Sequence, residues 1–338
     1  MLQDLKALCT IDGISGDEAL VRQYIINQIK DSVTSYSVDN LGNILAYKKG
    51  SKSSDKKLLV SAHMDEVGFM ATYINSDGTI KIGTVGGINP DVIIGRQVTV
   101  NGHFGVIGSQ AIHNIPTSER GKQADISRMY VDIGTNSKQQ TEEYVSLGDS
   151  INFYSTYEEF GNGYVKSKAL DDRVGCAIMI DLIKSQLPYD VYYSFVVQEE
   201  VGLRGSKVAS YTVNPDYAIV LEGTTAGDIH GSCEDRQVCR LGEGAVVSYM
   251  DRRTIYDKTL YNMAFSLTKQ LNIPCQTKTA IAGGNDAGSI HVSRGGVKTM
   301  AISVPCRYIH SGASVMKLSD AYACEELAKN IITRIFTL

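Results

Sequence analysis

Four short runs along the chain are apolar nearly throughout, and each leads to side chains that can hold a metal ion. Leu58 to Ala62 runs into His63, Val191 to Val197 into Glu199 and Glu200, Tyr217 to Leu221 into Glu222, and Lys298 to Val304 toward His310. A strand that is apolar on both faces needs cover on both faces, which is the condition of a parallel sheet packed between helices. Helical spacing recurs between these runs, over Arg173 to Lys184, Asp257 to Leu271 and Ser319 to Ile335. Strands alternating with helices predict an α/β domain with a mostly parallel sheet. Open sheets of this kind place ligands beyond the carboxyl ends of their strands, which is where the metal-type residues fall.

The rest of the chain fits around that frame. Leu2 to Cys9 reads as a helix. Ser15 and Glu18 have the spacing of a capping box, ahead of Val21, Tyr24, Ile25 and Ile29 at helical intervals. Tyr36 to Val38 and Gly42 to Tyr47 form a hairpin about Asp39-Asn40, and the Lys- and Ser-rich tract 48–57 is a solvated loop. From about Phe69 to Ser155 helical periodicity nearly disappears. Short β-type runs stand between glycines there, at Ile80 to Ile82, Gln97 to Val100, Gly105 to Ile107, Tyr130 to Ile133 and Ile151 to Phe153. We read one α/β domain interrupted by a small β-barrel or sandwich.

Composition excludes several classes of function. The 338 residues carry a net charge of −4, with 43% hydrophobic and 21% charged residues, which rules out a disordered chain. The mild negative charge gives no electrostatic footprint for nucleic acid. No run approaches the roughly 20 apolar residues of a membrane span, and the N-terminus does not open as a signal peptide. A soluble cytoplasmic protein is the expectation. The seven cysteines, Cys9, Cys176, Cys233, Cys239, Cys275, Cys306 and Cys324, are scattered without a C-x-x-C pair and read as reduced core thiols.

Five segments concentrate the chemistry. In an extended chain His63 and Asp65 project to the same side, which suits a metal-bound imidazole beside a carboxylate that orients it. Asp171 and Asp172 enter a helix, where an N-cap aspartate is the plain alternative. Glu199 and Glu200 are adjacent carboxylates at the mouth of a buried strand and repel unless a cation lies between them. Glu222 ends another apolar strand, and a solvated glutamate is the plain alternative. His310 follows the last strand, where a hydrogen-bonded structural histidine is common. Two histidines and three carboxylates form the mixed N/O set that suits Zn²⁺, Co²⁺ or Mn²⁺. A single catalytic zinc uses about three protein ligands, so five imply two ions sharing a carboxylate, with one more carboxylate as general base.

These segments, with Gly283-Gly284-Asn285-Asp286-Ala287-Gly288 and Ile309-His310-Ser311, resemble the dinuclear metalloaminopeptidases that comprise the glutamyl and tetrahedral (TET) aminopeptidases. The resemblance implies that His63 and Glu222 hold one ion, that Glu200 and His310 hold the other, and that Asp171 bridges both, ahead of a cis peptide to Asp172. It implies Glu199 as general base and Asp65 as the partner of His63. The implied fold is a zinc-peptidase-type α/β/α sandwich, formed by residues 1–69 and 163–338, with a PDZ-like β-barrel dimerisation domain inserted at 70–162. The implied activity is removal of N-terminal residues from peptides with a free N-terminus, through a metal-bridging hydroxide. The preference is glutamyl/aspartyl or broadly leucyl, and the implied assembly is a homo-oligomer, a dodecamer built from dimers. Arg204, Arg252, Arg253 and Arg307 are the candidate cations for an acidic substrate side chain. The chain departs from the pattern at Glu222, where Asp is also common, and at Asn285, where Thr is frequent. His103, His113, His230 and His291 match no ligand position.

Two rival readings stand beside this one. A glycoside hydrolase would use Glu199 and Glu200 as its carboxyl pair, but such pairs flank a sugar about 5 to 9.5 Å apart, and the chain has no tryptophan platform. The other is an assembly protein whose catalytic site has decayed.

Overall fold

The computed structural model describes residues 1–52, 54–115, 117–119 and 121–337. Ser53, within the tract expected to be a solvated loop, lies outside them. The four apolar runs form the centre of one sheet, in the order Val191–Val196, Leu58–His63, Tyr217–Thr225, Lys298–Arg307, all parallel. Antiparallel pairs extend both edges. Ser35–Val38 and Ile44–Lys48 lie on one side, and Ser314–Lys317, Tyr164–Ser167 and Glu158–Phe160 on the other.

Alternation along the central strands divides the core in two. Val60, Ala62, Ile219, Leu221, Met300 and Ile302 face one layer, where Leu2–Leu8, Ala19–Ile29, Leu170–Lys184, Lys258–Leu271 and Leu318–Arg334 pack. Leu59, Ala218, Val220 and Ala301 face the other, under Arg204–Val213 and Ala287–Ile290. The result is an α/β/α sandwich. The buried face of the Arg204–Val213 helix consists of Gly205, Ser206, Ala209, Ser210 and Val213, mostly small residues, so it does not read as an apolar stripe in the sequence.

Between the Leu58–His63 strand and the Leu170–Lys184 helix the chain builds a closed six-stranded barrel. Its strands run Gly68–Ile74, Ile80–Val85, Tyr130–Asp132, His103–Gly108, Gln97–Val100 and Ser150–Phe153, and the last pairs back to the first. A separate core, including Phe69, Val98, Val131 and Phe153, fills it. The five β-type runs read from the sequence fall in these strands, except that Ile133 lies just beyond Tyr130–Asp132.

The capping-box expectation fails. Glu18 itself caps the Ala19–Ile29 helix without a side-chain bond, and Ser15 is turned away from the helix toward Asp65. Cysteine placement also differs in part: Cys9, Cys176, Cys239, Cys306 and Cys324 are buried, whereas Cys275 is half-buried and Cys233 exposed.

Candidate metal centre

The parallel register brings the ends of four strands to one height. His63 closes its strand opposite Val196, so Glu199 and Glu200 emerge beside it, and Glu222 lies opposite Ser303, a few residues before the His310 loop. The fifth contributor is the start of the Leu170–Lys184 helix. Asp171 and Asp172 depart from helical dihedrals there, and the peptide bond between them is cis. The two aspartates divide the work. Asp172 accepts hydrogen bonds from the backbone N–H of Gly175 (3.0 Å) and His63 (3.2 Å), which is the capping role, and Asp171 turns toward the strand ends.

Asp171 sits between two imidazoles. Its Oδ1 is 3.4 Å from His63 Nε2, and its Oδ2 is 3.4 Å from His310 Nε2. Glu222 Oε1 completes the first side at 3.3 Å from His63 Nε2, and Glu200 Oε1 the second at 3.4 Å from His310 Nε2. Each histidine donates from Nδ1 to a backbone carbonyl, His63 to Asp65 (3.0 Å) and His310 to Gly87 (2.8 Å). Those bonds leave both Nε2 atoms aimed into the cluster, as ligands to a cation would be.

Asp65 lies beside His63 with both its carbonyl and its carboxylate. The carboxylate Oδ1 is 3.5 Å from His63 Nδ1, and the carbonyl of the same residue is nearer. The carboxylate also accepts from the N–H of Glu199 (3.0 Å), the N–H of Glu200 (3.1 Å) and the hydroxyl of Ser15 (2.6 Å). Asp65 thus fixes the backbone that carries both glutamates.

Charge in the cluster is unbalanced. Asp65, Asp171, Asp172, Glu199, Glu200, Glu222 and Asp286 converge on two imidazoles. Burial pushes Glu199 and Glu222 well above the usual carboxylate range, Glu200 up to about 7 and Asp286 to about 6. Burial opposes charge on Asp171 too, but the imidazoles of His310 and His63 beside it hold its carboxyl well below that range. For His310 burial is outweighed by Asp171 and Glu200, which raise it to about 9. Asp171 Oδ1 and Glu222 Oε2 are buried without a hydrogen-bond partner. Unpaired buried carboxylate oxygens are costly unless a cation or donor meets them. Among the described residues, the sets His63/Asp172/Glu222, His63/Glu199/Glu200 and Asp171/Glu200/His310 each offer ligand atoms within 4.8 Å of one another. The donor set, the aimed Nε2 atoms and the orphaned oxygens all fit divalent ions. In the first set Asp172 is already engaged by two backbone N–H groups, whereas the two oxygens of Asp171 face the two imidazoles.

The cluster floors a cleft of about 350 Å³, walled by Arg253, Lys278, Asn285 and Ile309. Lys278 was not singled out in the sequence. It is a lone lysine in Thr277-Lys278-Thr279, and only the fold shows that it is buried and faces the cleft, where burial lowers its pKa. Of the arginine candidates Arg253 lines the cleft. Arg307 is committed to Asp228 through two bonds (2.8 and 2.6 Å), and Arg204 donates to Gln198. Asn285 accepts from the Ala287 N–H. His103 packs on Tyr144, and His291 donates to the Ala287 carbonyl.

Comparison with known proteins gives the family and the fold. The model of the M42 glutamyl aminopeptidase family matches residues 42–327. The glutamyl aminopeptidase of Lactococcus lactis subsp. cremoris is 31% identical over 349 residues, covering 100% of this chain and 97% of that one. The lysyl aminopeptidase of Pyrococcus furiosus is 30% identical over 341 residues, covering 98% and 96%. Among solved structures, the TET aminopeptidase of Thaumarchaeota archaeon SCGC AB-539-E09 superimposes with a TM-score of 0.95 at 33% identity, over 99% of this chain and 96% of that one. The TET1 peptidase of Pyrococcus horikoshii, described as assembling into a tetrahedron or a large octahedral shell, gives 0.85 at 31%, over 98% of each. A Thermotoga maritima protein named endoglucanase gives 0.82 at 36%, over 98% and 97%.

Proposed function

We propose, because the chain belongs to the M42 glutamyl aminopeptidase family and is therefore a peptidase that cleaves peptides at the N-terminus, that it works with two divalent ions and Glu199 as general base. The observation that carries this reading is Asp171, with one oxygen beside His63 and Glu222 and the other beside His310 and Glu200. His63 and Glu222 would hold one ion, His310 and Glu200 the other, and Asp171 both. Zn²⁺ or Co²⁺ suits these nitrogen and oxygen donors best, and Mn²⁺ is compatible. When bound, the ions supply Lewis acidity and lower the pKa of the water they hold.

The chain's own residues do the rest. Glu199 faces the cleft on a backbone fixed by Asp65, takes the proton of the attacking water and returns it to the leaving amine. Asp65 and Gly87 hold the two imidazoles by their Nδ1 atoms, so neither ring turns as the reaction proceeds. Arg253 and Lys278 favour a glutamyl or aspartyl first residue over a leucyl one, since a buried ammonium in the wall pairs with a carboxylate and is left unpaired by an alkyl group.

Residues 1–69 and 163–338 form the catalytic unit in this reading, and 70–162 the inserted unit that makes subunit contacts in a dodecamer built from dimers. Exposed Phe104, Val106, Met70, Tyr73 and Tyr154 on the barrel support such contacts, and the TET1 peptidase is the precedent for the shell. Seven free cysteines suit a cytoplasmic setting. No helix among the described residues is long and apolar enough to cross a membrane.

Hydrolysis of Glu-, Asp-, Leu-, Lys- and Ala-p-nitroanilide after EDTA treatment, and again with Co²⁺ or Zn²⁺ restored, tests the reading. Metal-dependent cleavage led by the Glu and Asp substrates is the expected result. Cleavage unaffected by chelation would overturn the two-ion mechanism, and metal-independent cleavage of a β-glucan would favour the glycosidase alternative.

A further inference from the structure

The Ser15–Glu18 pair has the spacing of a helix cap but is spent elsewhere. Ser15, 6% exposed, donates its hydroxyl to Asp65 Oδ2 at 2.6 Å. Glu18, 4% exposed, accepts at Oε1 from the N–H of Gly16 (2.7 Å) and from the N–H of Gln198 (3.2 Å). Both contacts land on the loop that presents Glu199 and Glu200, one through Asp65 and one directly. Gln198 lies in the left-handed region at φ 56°, a conformation that a non-glycine residue holds only when its surroundings impose it.

The segment that carries the pair is itself anchored. Gly13 O accepts from the Glu66 N–H (3.0 Å), and Ile14 bridges Glu66 in parallel. The buried Arg173 guanidinium donates to the carbonyls of Leu8, Ile11 and Gly13, and Lys168 joins Asp12 (2.6 Å) to Glu66 (2.8 Å). An N-terminal stretch far from the sheet ends in sequence is thus locked to them by charge and backbone bonds.

We propose that Ser15 and Glu18 are positioning residues of the metal centre, through which the N-terminal segment sets the placement of Asp65 and of the backbone that carries Glu199 and Glu200. The proposal rests on the metallopeptidase reading for its effect on turnover. Removing the Ser15 hydroxyl takes one donor from Asp65 and leaves its Oδ2 with the Glu200 N–H alone. Outer partners of metal ligands that are lost in this way typically cost about 10- to 100-fold in metal affinity or activity.

The test uses the full chain as Ser15→Ala, Ser15→Thr, Glu18→Ala and Glu18→Gln. Each is read by kcat and KM on the best p-nitroanilide, by Co²⁺ titration of the metal-free protein through its visible absorption, and by thermal midpoint. Ser15→Ala is expected to lose at least about tenfold in kcat or in Co²⁺ affinity, with KM little changed, and Ser15→Thr, which keeps a hydroxyl, to recover most of the loss. Glu18→Ala is expected to lose more than Glu18→Gln, whose amide oxygen still accepts both N–H bonds. A loss below about tenfold in both quantities for Ser15→Ala overturns the proposal. So does a Ser15→Thr protein as impaired as Ser15→Ala with the same fall in midpoint, which marks a merely structural role. If Ser15→Ala does not fold, the Glu18 pair decides by the same criteria. The Co²⁺ titration needs no peptide cleavage, so a wild type that binds Co²⁺ but cleaves nothing overturns the peptidase mechanism and leaves the brace measurable.

Discussion

At the scale of single residues, Asp65 serves the cluster in two ways: it lies beside His63 Nδ1 with its carbonyl and its carboxylate, and the carboxylate also accepts from Ser15 and two backbone N–H groups. The sequence pattern shows only the H-x-D pair, not the bonds to Ser15 and the backbone. His63, Glu199, Glu200, Glu222 and His310 are legible because each lies in or just beyond a conspicuous apolar run, whereas Asp171 opens a helix. Lys278 was invisible, since nothing in Thr277-Lys278-Thr279 signals burial. Two predictions belong here. Glu199→Gln should keep its bound metal by elemental analysis while kcat falls about 10²- to 10⁴-fold, the usual contribution of a general base. Lys278→Met should lower kcat/KM for the glutamyl substrate about tenfold or more relative to the leucyl one, as expected for losing a hydrogen bond to a charged group. Equal losses on both substrates would remove Lys278 from specificity.

At the scale of elements, the site depends on how closely the Tyr217–Thr225 strand approaches the Leu170–Lys184 helix. Gly223, next to Glu222, makes the approach possible. A Cβ there would lie 3.0 Å from the Cα, Cβ and Oδ1 of Asp171. Gly223→Ala should therefore displace Asp171 by a few tenths of an ångström and weaken metal binding, read by Co²⁺ titration, more than it lowers the thermal midpoint. The strands and most helices follow from periodicity. The departure from helical dihedrals at Asp171 and Asp172, which separates the capping aspartate from the one facing the cleft, does not. Two consecutive aspartates read alike by periodicity, and the resemblance rather than the pattern tells them apart. The false capping box at Ser15–Glu18 has a non-local origin: the local motif was outcompeted by partners about fifty and one hundred and eighty positions away.

At the scale of the whole molecule, the excess of buried carboxylates ties stability to pH when no ion is bound. Burial raises Glu200 from 4.5 to about 7, and Asp171 and Glu200, working against burial, raise His310 from 6.5 to about 9. Across that span the folded metal-free protein binds more protons than the unfolded chain, so its stability falls as pH rises. The thermal midpoint of the EDTA-treated protein should drop steadily from about pH 5 to about pH 9. Restoring Zn²⁺ should raise it most at the alkaline end, where the ligands are already deprotonated. A midpoint that climbs with pH in the metal-free protein would contradict the charge imbalance. The sequence showed that a β unit interrupts the α/β chain, because periodicity lapses between about Phe69 and Ser155. It did not show that this unit reaches the catalytic cluster, because the contact is made by a backbone carbonyl, that of Gly87 on His310.

That one carbonyl limits how freely the two parts of the fold can be exchanged. A barrel transplanted from a relative brings its own backbone path at positions 86–89, and with it a new position for the oxygen that orients His310. Modularity here is a matter of loop geometry rather than of matching side chains. A chimera that folds, stays soluble and keeps all five ligand residues can still be a poor enzyme, and grafting the 86–89 turn along with its strands is the economical repair.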